Sequence, residues 1–86
     1  LIALQIRCLF QNMKKFQITH GDTKDTNFIV NSQNLTVTLI DLDSAQHHVC
    51  RESFHKIFIS DKLRFLQNWK SHKDLHQLFQ SQLHDL

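Results

Sequence analysis

The chain has one glycine and no proline in 86 residues, and that glycine lies inside the polar run His20-Gly21-Asp22-Thr23-Lys24-Asp25-Thr26-Asn27. Glycine and proline are the strongest punctuators of regular structure, so a chain this poor in both has few places to turn sharply. The run at 20–27 concentrates the turn formers and reads as one structured loop. Its two flanks have different periodicities, and that difference sets the fold class.

Ahead of the loop, Ile2, Ile6, Leu9, Phe10, Met13 and Phe16 recur at spacings of three and four. That stripe predicts a helix over 1–16, with Arg7, Gln11, Asn12, Lys14 and Lys15 on the other side. Ile18 and Thr19 are β-branched and predict extended backbone. After the loop, Phe28 to Val30 and Leu35 to Ile40 are short strand-forming runs joined by Asn31, Ser32, Gln33 and Asn34, a hairpin signal. Residues 45–60 carry no clear period, with Phe54, Ile57, Phe58 and Ile59 as candidate anchors. A helix is expected from Ser60, capped by Ser60 or Asp61, with Leu63, Leu66 and Trp69 at helical spacing. After a break near Ser71, Leu75, Leu78, Phe79, Leu83 and Leu86 form a last amphipathic stripe. The expected class is α+β.

Ten Lys and Arg against eight Asp and Glu leave a net charge of +2. That excess is too small and too dispersed to argue for nucleic acid. No apolar run approaches the ~20 residues that span a bilayer. Arg7, Lys14 and Lys15 break the first apolar stretch, unlike a signal peptide. Cys8 and Cys50 lack CxxC spacing and are expected to be reduced and partly buried, as in a cytoplasmic protein. His72 and His76 have an i, i+4 spacing that can hold zinc, but no Glu follows His72 and no third ligand is evident. His47-His48 and Cys50-x4-His55 are equally incomplete, so these histidines read as polar-face residues. With Leu1 in place of an initiator Met and so little turn punctuation, the chain is expected to be a segment of a longer one.

The constellation that carries chemistry is Asp22, Lys24, Asn27 and Asp41. In phosphoryl transfer the acceptor hydroxyl must be oriented and lose a proton late, which suits a carboxylate such as Asp22. A cation stabilises the charge on the transferred group, and Lys24 can supply it. Magnesium takes oxygen ligands, and Asn27 and Asp41 offer them from the two ends of the hairpin, which antiparallel pairing brings together. Asp43 reads either as a second metal ligand or as a surface carboxylate. His20 is expected to orient the loop backbone by a side-chain hydrogen bond, and Asp25 to be solvated. Arg64, Asn68 and Trp69 share a face with Asp61, which suggests a packed aromatic beside an Arg–Asp pair.

The segment His20 to Asn27 resembles the kinase catalytic loop H-R-D-x-x-x-x-N, with Gly21 in place of Arg and Asp41 standing where the Asp of D-F-G would stand. The wording ITHGDTKDTNFIV…VTLIDLDSA followed by DKLRFLQNW most resembles the lipopolysaccharide core kinases of Gram-negative bacteria, from about Leu1 to Trp69. The resemblance implies the carboxy-terminal lobe of a protein-kinase-like fold: helix, catalytic loop, short hairpin, helices. It implies ATP- and Mg2+-dependent phosphorylation of a Kdo or heptose hydroxyl on lipid A–core, in a cytoplasmic enzyme peripheral to the inner membrane. Asp22 and Lys24 would be catalytic, Lys24 would also bind nucleotide, and Asn27 and Asp41, with or without Asp43, would hold the metal. His20 and Gly21 would shape the loop. Gly21 for Arg and Leu42-Asp43 for Phe-Gly imply no phosphorylated activation-loop switch and no D-F-G flip. The Gly-rich loop, strand Lys and partner Glu of an amino-terminal nucleotide lobe do not occur in 1–86, so the chain alone is expected to be inactive. Alternatives are a non-catalytic remnant that serves as a binding module, a kinase for another small-molecule alcohol, and a helical protein that binds metal through its histidines.

Overall fold

A computed structural model describes all residues from Leu1 to Leu86. Helix α1 covers Ile2–Phe16 and buries Ala3, Ile6, Phe10 and Met13, the centre of the apolar stripe. Phe16, at the stripe's edge, stays exposed. The helix stops at Gln17, which takes a left-handed conformation (φ 53°) and donates its N–H back to the carbonyls of Met13 and Lys14. This is the αL closure more often made by glycine.

The chain then forms a two-residue strand, β1 (Ile18–Thr19), and the polar loop, which ends in a 3-10 turn at Asp25–Asn27. The hairpin follows as β2 (Phe28–Asn31) and β3 (Thr36–Leu39), antiparallel, with Phe28 opposite Leu39 and Asn31 opposite Thr36. Strand β3 is shorter at both ends than the β-branched run suggested. Leu35 has φ 55° and belongs to the turn, and Asp41 at φ 61° redirects the chain just after Ile40. Gln5 of α1 grips the hairpin, donating from Nε2 to the Leu35 carbonyl and accepting the Val37 N–H at 2.8 Å.

A second sheet pairs β1 with β4 (Gln46–His47), matching Ile18 with His47 and Thr19 with Gln46. Helix α2 covers Arg51–Gln67 and opens at Cys50, not at Ser60 or Asp61. The reason for this correction is visible in its buried face, Phe54, Phe58, Asp61 and Phe65. The spacing is helical, but a carboxylate occupies one position of the apolar stripe and hides the period. Helix α3 covers Lys73–Leu83 and buries Phe79 and Leu83.

The three helices and two small antiparallel sheets make an α+β domain. Its core is aromatic. Phe65 packs against Phe28 (centroids 5.0 Å apart), Phe79 (5.1 Å) and Phe10 (5.6 Å), and so joins hairpin, α3 and α1 through α2. Each such buried ring contributes about 1.5–3 kcal/mol relative to exposure. Outside the core, Arg7 on α1 makes a forked ion pair with Asp85 (2.7 and 3.0 Å) and donates to the Gln82 carbonyl, holding the end of α3. No helix is long and apolar enough to cross a membrane.

Candidate active site

The loop at 20–27 is held by its backbone, and α2 does the holding. The buried carboxylate of Asp61 accepts the N–H of His20 at 2.8 Å on Oδ2 and the N–H of Gly21 at 3.0 Å on Oδ1. The Asp61 carbonyl accepts the Thr23 hydroxyl at 2.6 Å, and Asn68 Nδ2 donates to the Thr23 carbonyl at 3.0 Å. Burial pushes the Asp61 carboxyl above the usual range, and the His20 and Gly21 N–H groups partly offset this. The Arg–Asp pair expected from sequence is therefore absent: Arg64 donates to Asn68, and Asp61 faces the loop. Trp69 does pack as an aromatic, against Phe65 and Phe79, with its Nε1 buried and unpartnered. Asp61 is the residue that sequence reasoning missed. Its signal was a helical stripe of phenylalanines interrupted by one acid.

His20 ties the loop to the hairpin. Its Nε2 lies 2.8 Å from the Ile40 carbonyl, which can only accept, so Nε2 carries the proton and Nδ1 accepts the Asp22 N–H at 3.1 Å. The ring is buried, with both nitrogens engaged. That is the orienting arrangement expected of it. Gly21 has φ 88°, and a Cβ there would lie 2.9 Å from Ser44 Cβ and 3.0 Å from the Ser44 carbonyl oxygen. The loop therefore packs directly on the 3-10 turn Leu42–Ser44, and both the dihedral and the space demand glycine.

With the backbone pinned, the residues of the constellation differ in exposure: Asp22 and Lys24 are partly exposed, Asn27 is buried and Asp41 is exposed. Lys24 Nζ stands 3.5 Å from Asp22 Oδ2. Asn27 donates from Nδ2 to the Asp22 carbonyl at 2.8 Å, which leaves its Oδ1 without a hydrogen bond. The Ile40 N–H bonds the Asn27 carbonyl at 2.8 Å, which extends the hairpin ladder past Phe28 and Leu39. Asp41 comes next, exposed, with φ 61° and ψ 75°. A non-glycine residue in that region costs roughly 1 kcal/mol or more, though Asp tolerates it better than most. Neither Asp41 nor Asp43, also exposed, has a hydrogen-bonding or ionic partner. Asp25 is solvated, as expected, and accepts the Thr26 N–H at 2.9 Å.

The oxygen donors Asn27 Oδ1, Asp41 and Asp43 suit a hard cation. Magnesium is commonly held by one or two carboxylates and completes its shell with water and phosphate oxygens. No three His, Cys, Asp or Glu side chains gather to make a metal site, and this holds for Asp22, Asp41 and Asp43 as it does for the histidines. His48 corrects its polar-face reading. It is buried, with Nε2 2.7 Å from the Thr19 hydroxyl and Nδ1 3.0 Å from the Ser53 hydroxyl. Cys8 and Cys50 are free and exposed, where partial burial was expected. Cys50 occupies the N-cap position of α2 without a side-chain capping bond, and the nearby N–H groups of Ser53 and Glu52 lower its thiol pKa from the usual value.

None of the surface cavities is lined by Asp22, Lys24, Asn27 or Asp41. Comparison with family models, curated proteins and solved structures finds no match to this chain.

Proposed function

We propose that this chain is the catalytic-loop part of a protein-kinase-like phosphotransferase of the lipopolysaccharide core kinase type. The reaction is transfer of the ATP γ-phosphoryl group, with Mg2+, to a Kdo or heptose hydroxyl of lipid A–core at the cytoplasmic face of the inner membrane. The observation that carries the reading is the pinned loop. Asp61, Asn68 and His20 fix the short backbone segment that carries Asp22, Lys24 and Asn27, and the bond from the Ile40 N–H to the Asn27 carbonyl ties the residue before Asp41 to it.

Each group then has a task that its surroundings suit. Asp22 is accessible and ionisable, so it can orient the acceptor hydroxyl and take its proton. Lys24 is near enough to share Asp22's charge and flexible enough to move to a phosphoryl oxygen. Asn27, braced by the Asp22 carbonyl, presents Oδ1, and Asp41 adds a carboxylate, with Asp43 as a further donor. A bound Mg2+ would neutralise phosphate charge there. Gly-rich-loop and strand-lysine contacts to the ATP phosphates come, in this reading, from sequence outside residues 1–86.

The test is a transfer assay. The complete coding region that contains these residues is expressed, then incubated with Mg-ATP and lipid A carrying Kdo and heptose. A phosphorylated acceptor that disappears with Asp22→Asn supports the reading. A folded, nucleotide-binding product that phosphorylates neither sugar overturns it.

A further inference from the structure

A concavity of about 460 Å3 opens between the end of α1 and the start of α2, and Asp22 does not line it. It is lined by Lys14, Lys15, Gln17, Arg51, Phe54 and His55. The short β1–β4 sheet brings these two helix ends together: the His48 N–H bonds the Gln17 carbonyl at 2.8 Å, and Gln17 Nε2 donates to the His48 carbonyl at 2.9 Å. Buried Phe54 contributes the apolar part of the lining.

The side chains that line this hollow include cations and no acid. The molecule's ion pairs are elsewhere, Arg7 with Asp85 and Lys24 with Asp22. Lys14 donates to the Leu86 carbonyl at 3.1 Å, whereas Lys15 lies over the Phe16 ring at 5.4 Å with no hydrogen bond. Arg51 and His55 are exposed and have no bonded partner. Lys56 continues the basic surface beyond His55, with Glu52 as the one acid beside it.

Helix electrostatics explain only half of the cluster. Lys14 and Lys15 sit in the last turn of α1, where the negative end of the helix favours them. Arg51 is in the first turn of α2, at the positive end, where a cation is disfavoured. The fold gains nothing from Arg51 at this position, and an anion in the hollow would reverse the sign of its contribution. An arginine fork with lysine point charges, donors with almost no acceptors, matches a tetrahedral oxyanion.

We propose that this basic hollow binds a phosphate group, carried either by a free phosphate ester or by a lipid headgroup. The inference stands apart from the phosphotransfer reading, since it uses none of the residues of that site.

Two probes distinguish the sources: inorganic phosphate, followed by amide shifts, and sedimentation with phosphatidylcholine vesicles with and without phosphatidylglycerol. Saturable shifts at Lys15 and Arg51 with phosphate, without vesicle retention, assign a free phosphate ester. Retention only on vesicles that contain phosphatidylglycerol assigns a headgroup. In either case Lys15→Ala with Arg51→Ala should weaken binding about 25-fold, at about fivefold per cation. Lys15→Arg with Arg51→Lys should retain it, and Lys70→Ala, on another exposed face, should leave it unchanged. If the double alanine variant loses helical signal, Lys15→Gln alone, on an exposed side chain with no bond to lose, should still cost about fivefold. No response to either probe overturns the site, as does equal binding by the wild type and the charge-removed variant.

Discussion

The Asp61 carboxylate meets the main-chain N–H of His20 at 2.8 Å across 41 residues of sequence. With the Gly21 N–H on its other oxygen, it makes α2 the support of the 20–27 loop. Asp61→Asn keeps the volume but puts an amide donor against one of two backbone donors. The expected loss is about 1–3 kcal/mol of stability, the cost of leaving a buried donor unsatisfied. Urea unfolding measures it, and amide exchange at His20 and Gly21 should accelerate more than exchange in α1.

Gly21→Ala combines two penalties, a positive φ and a Cβ 2.9 Å from Ser44 Cβ. We expect destabilisation of about 1–3 kcal/mol. Adding Ser44→Gly should recover the steric part and not the dihedral part. A double-mutant cycle in thermal or urea unfolding separates the two. A Gly21→Ala chain as stable as the wild type would mean that the loop moves freely away from Ser44.

In the proposed phosphotransferase reading, where Asp22 serves the acceptor and Asp41 the metal, Asp22→Asn and Asp41→Asn should differ in the full-length protein. The first removes the group that serves the acceptor, so turnover should fall by about 10²–10⁴-fold with nucleotide affinity nearly intact. The second removes a metal ligand, so Mg-nucleotide binding and turnover should fall together. Small and equal effects from both would count against these roles.

Residues 1–86 alone should show no micromolar affinity for Mg-ATP. Asp22, Lys24 and Asp41 face water, where the attraction between charges is heavily attenuated and Mg2+ retains most of its own shell. Calorimetry is the direct check, and a micromolar dissociation constant would show that the groups present suffice.

Arg7 holds the Asp85 carboxyl down to about 2 through its side-chain hydrogen bond. The folded pKa is depressed, so this contribution is fully present above the unfolded value of about 3.9 and is lost as pH falls through about 2. The pair is exposed, so the effect should be small and weaken with salt. Acid titration by circular dichroism should show wild type and Asp85→Asn separated above pH ~4 and converging towards pH ~2.

Where side-chain periodicity was clean, sequence and structure agree. Helix α1 was legible because its apolar residues fall on one face, and the hairpin because two short β-branched runs flank a polar turn. The start of α2 was not legible, because Asp61 sits in its buried stripe between Phe58 and Phe65. The β1–β4 sheet was hidden for another reason: two residues on each strand are too few to carry a period, and only tertiary contact pairs them. For the candidate site, the spacing of Asp22, Lys24 and Asn27 picked out one loop, within which Lys24 lies 3.5 Å from Asp22 and Asn27 bonds the Asp22 carbonyl. The support from Asp61 and Asn68 depends on a helix crossing behind the loop, and no local pattern encodes such a crossing.

Gln5 reaches the hairpin with a donor on the carbonyl of Leu35, the last residue of the turn, and an acceptor for the N–H of Val37 in β3. A neighbouring strand would present its peptide groups in the same pattern. One primary amide thus imitates a single rung of a third strand. A bare edge is a template on which another chain can pair and start to aggregate. This counterfeit rung occupies β3 at its tip, and the edge left open for strand addition is that of β2, along Ile29 and Val30.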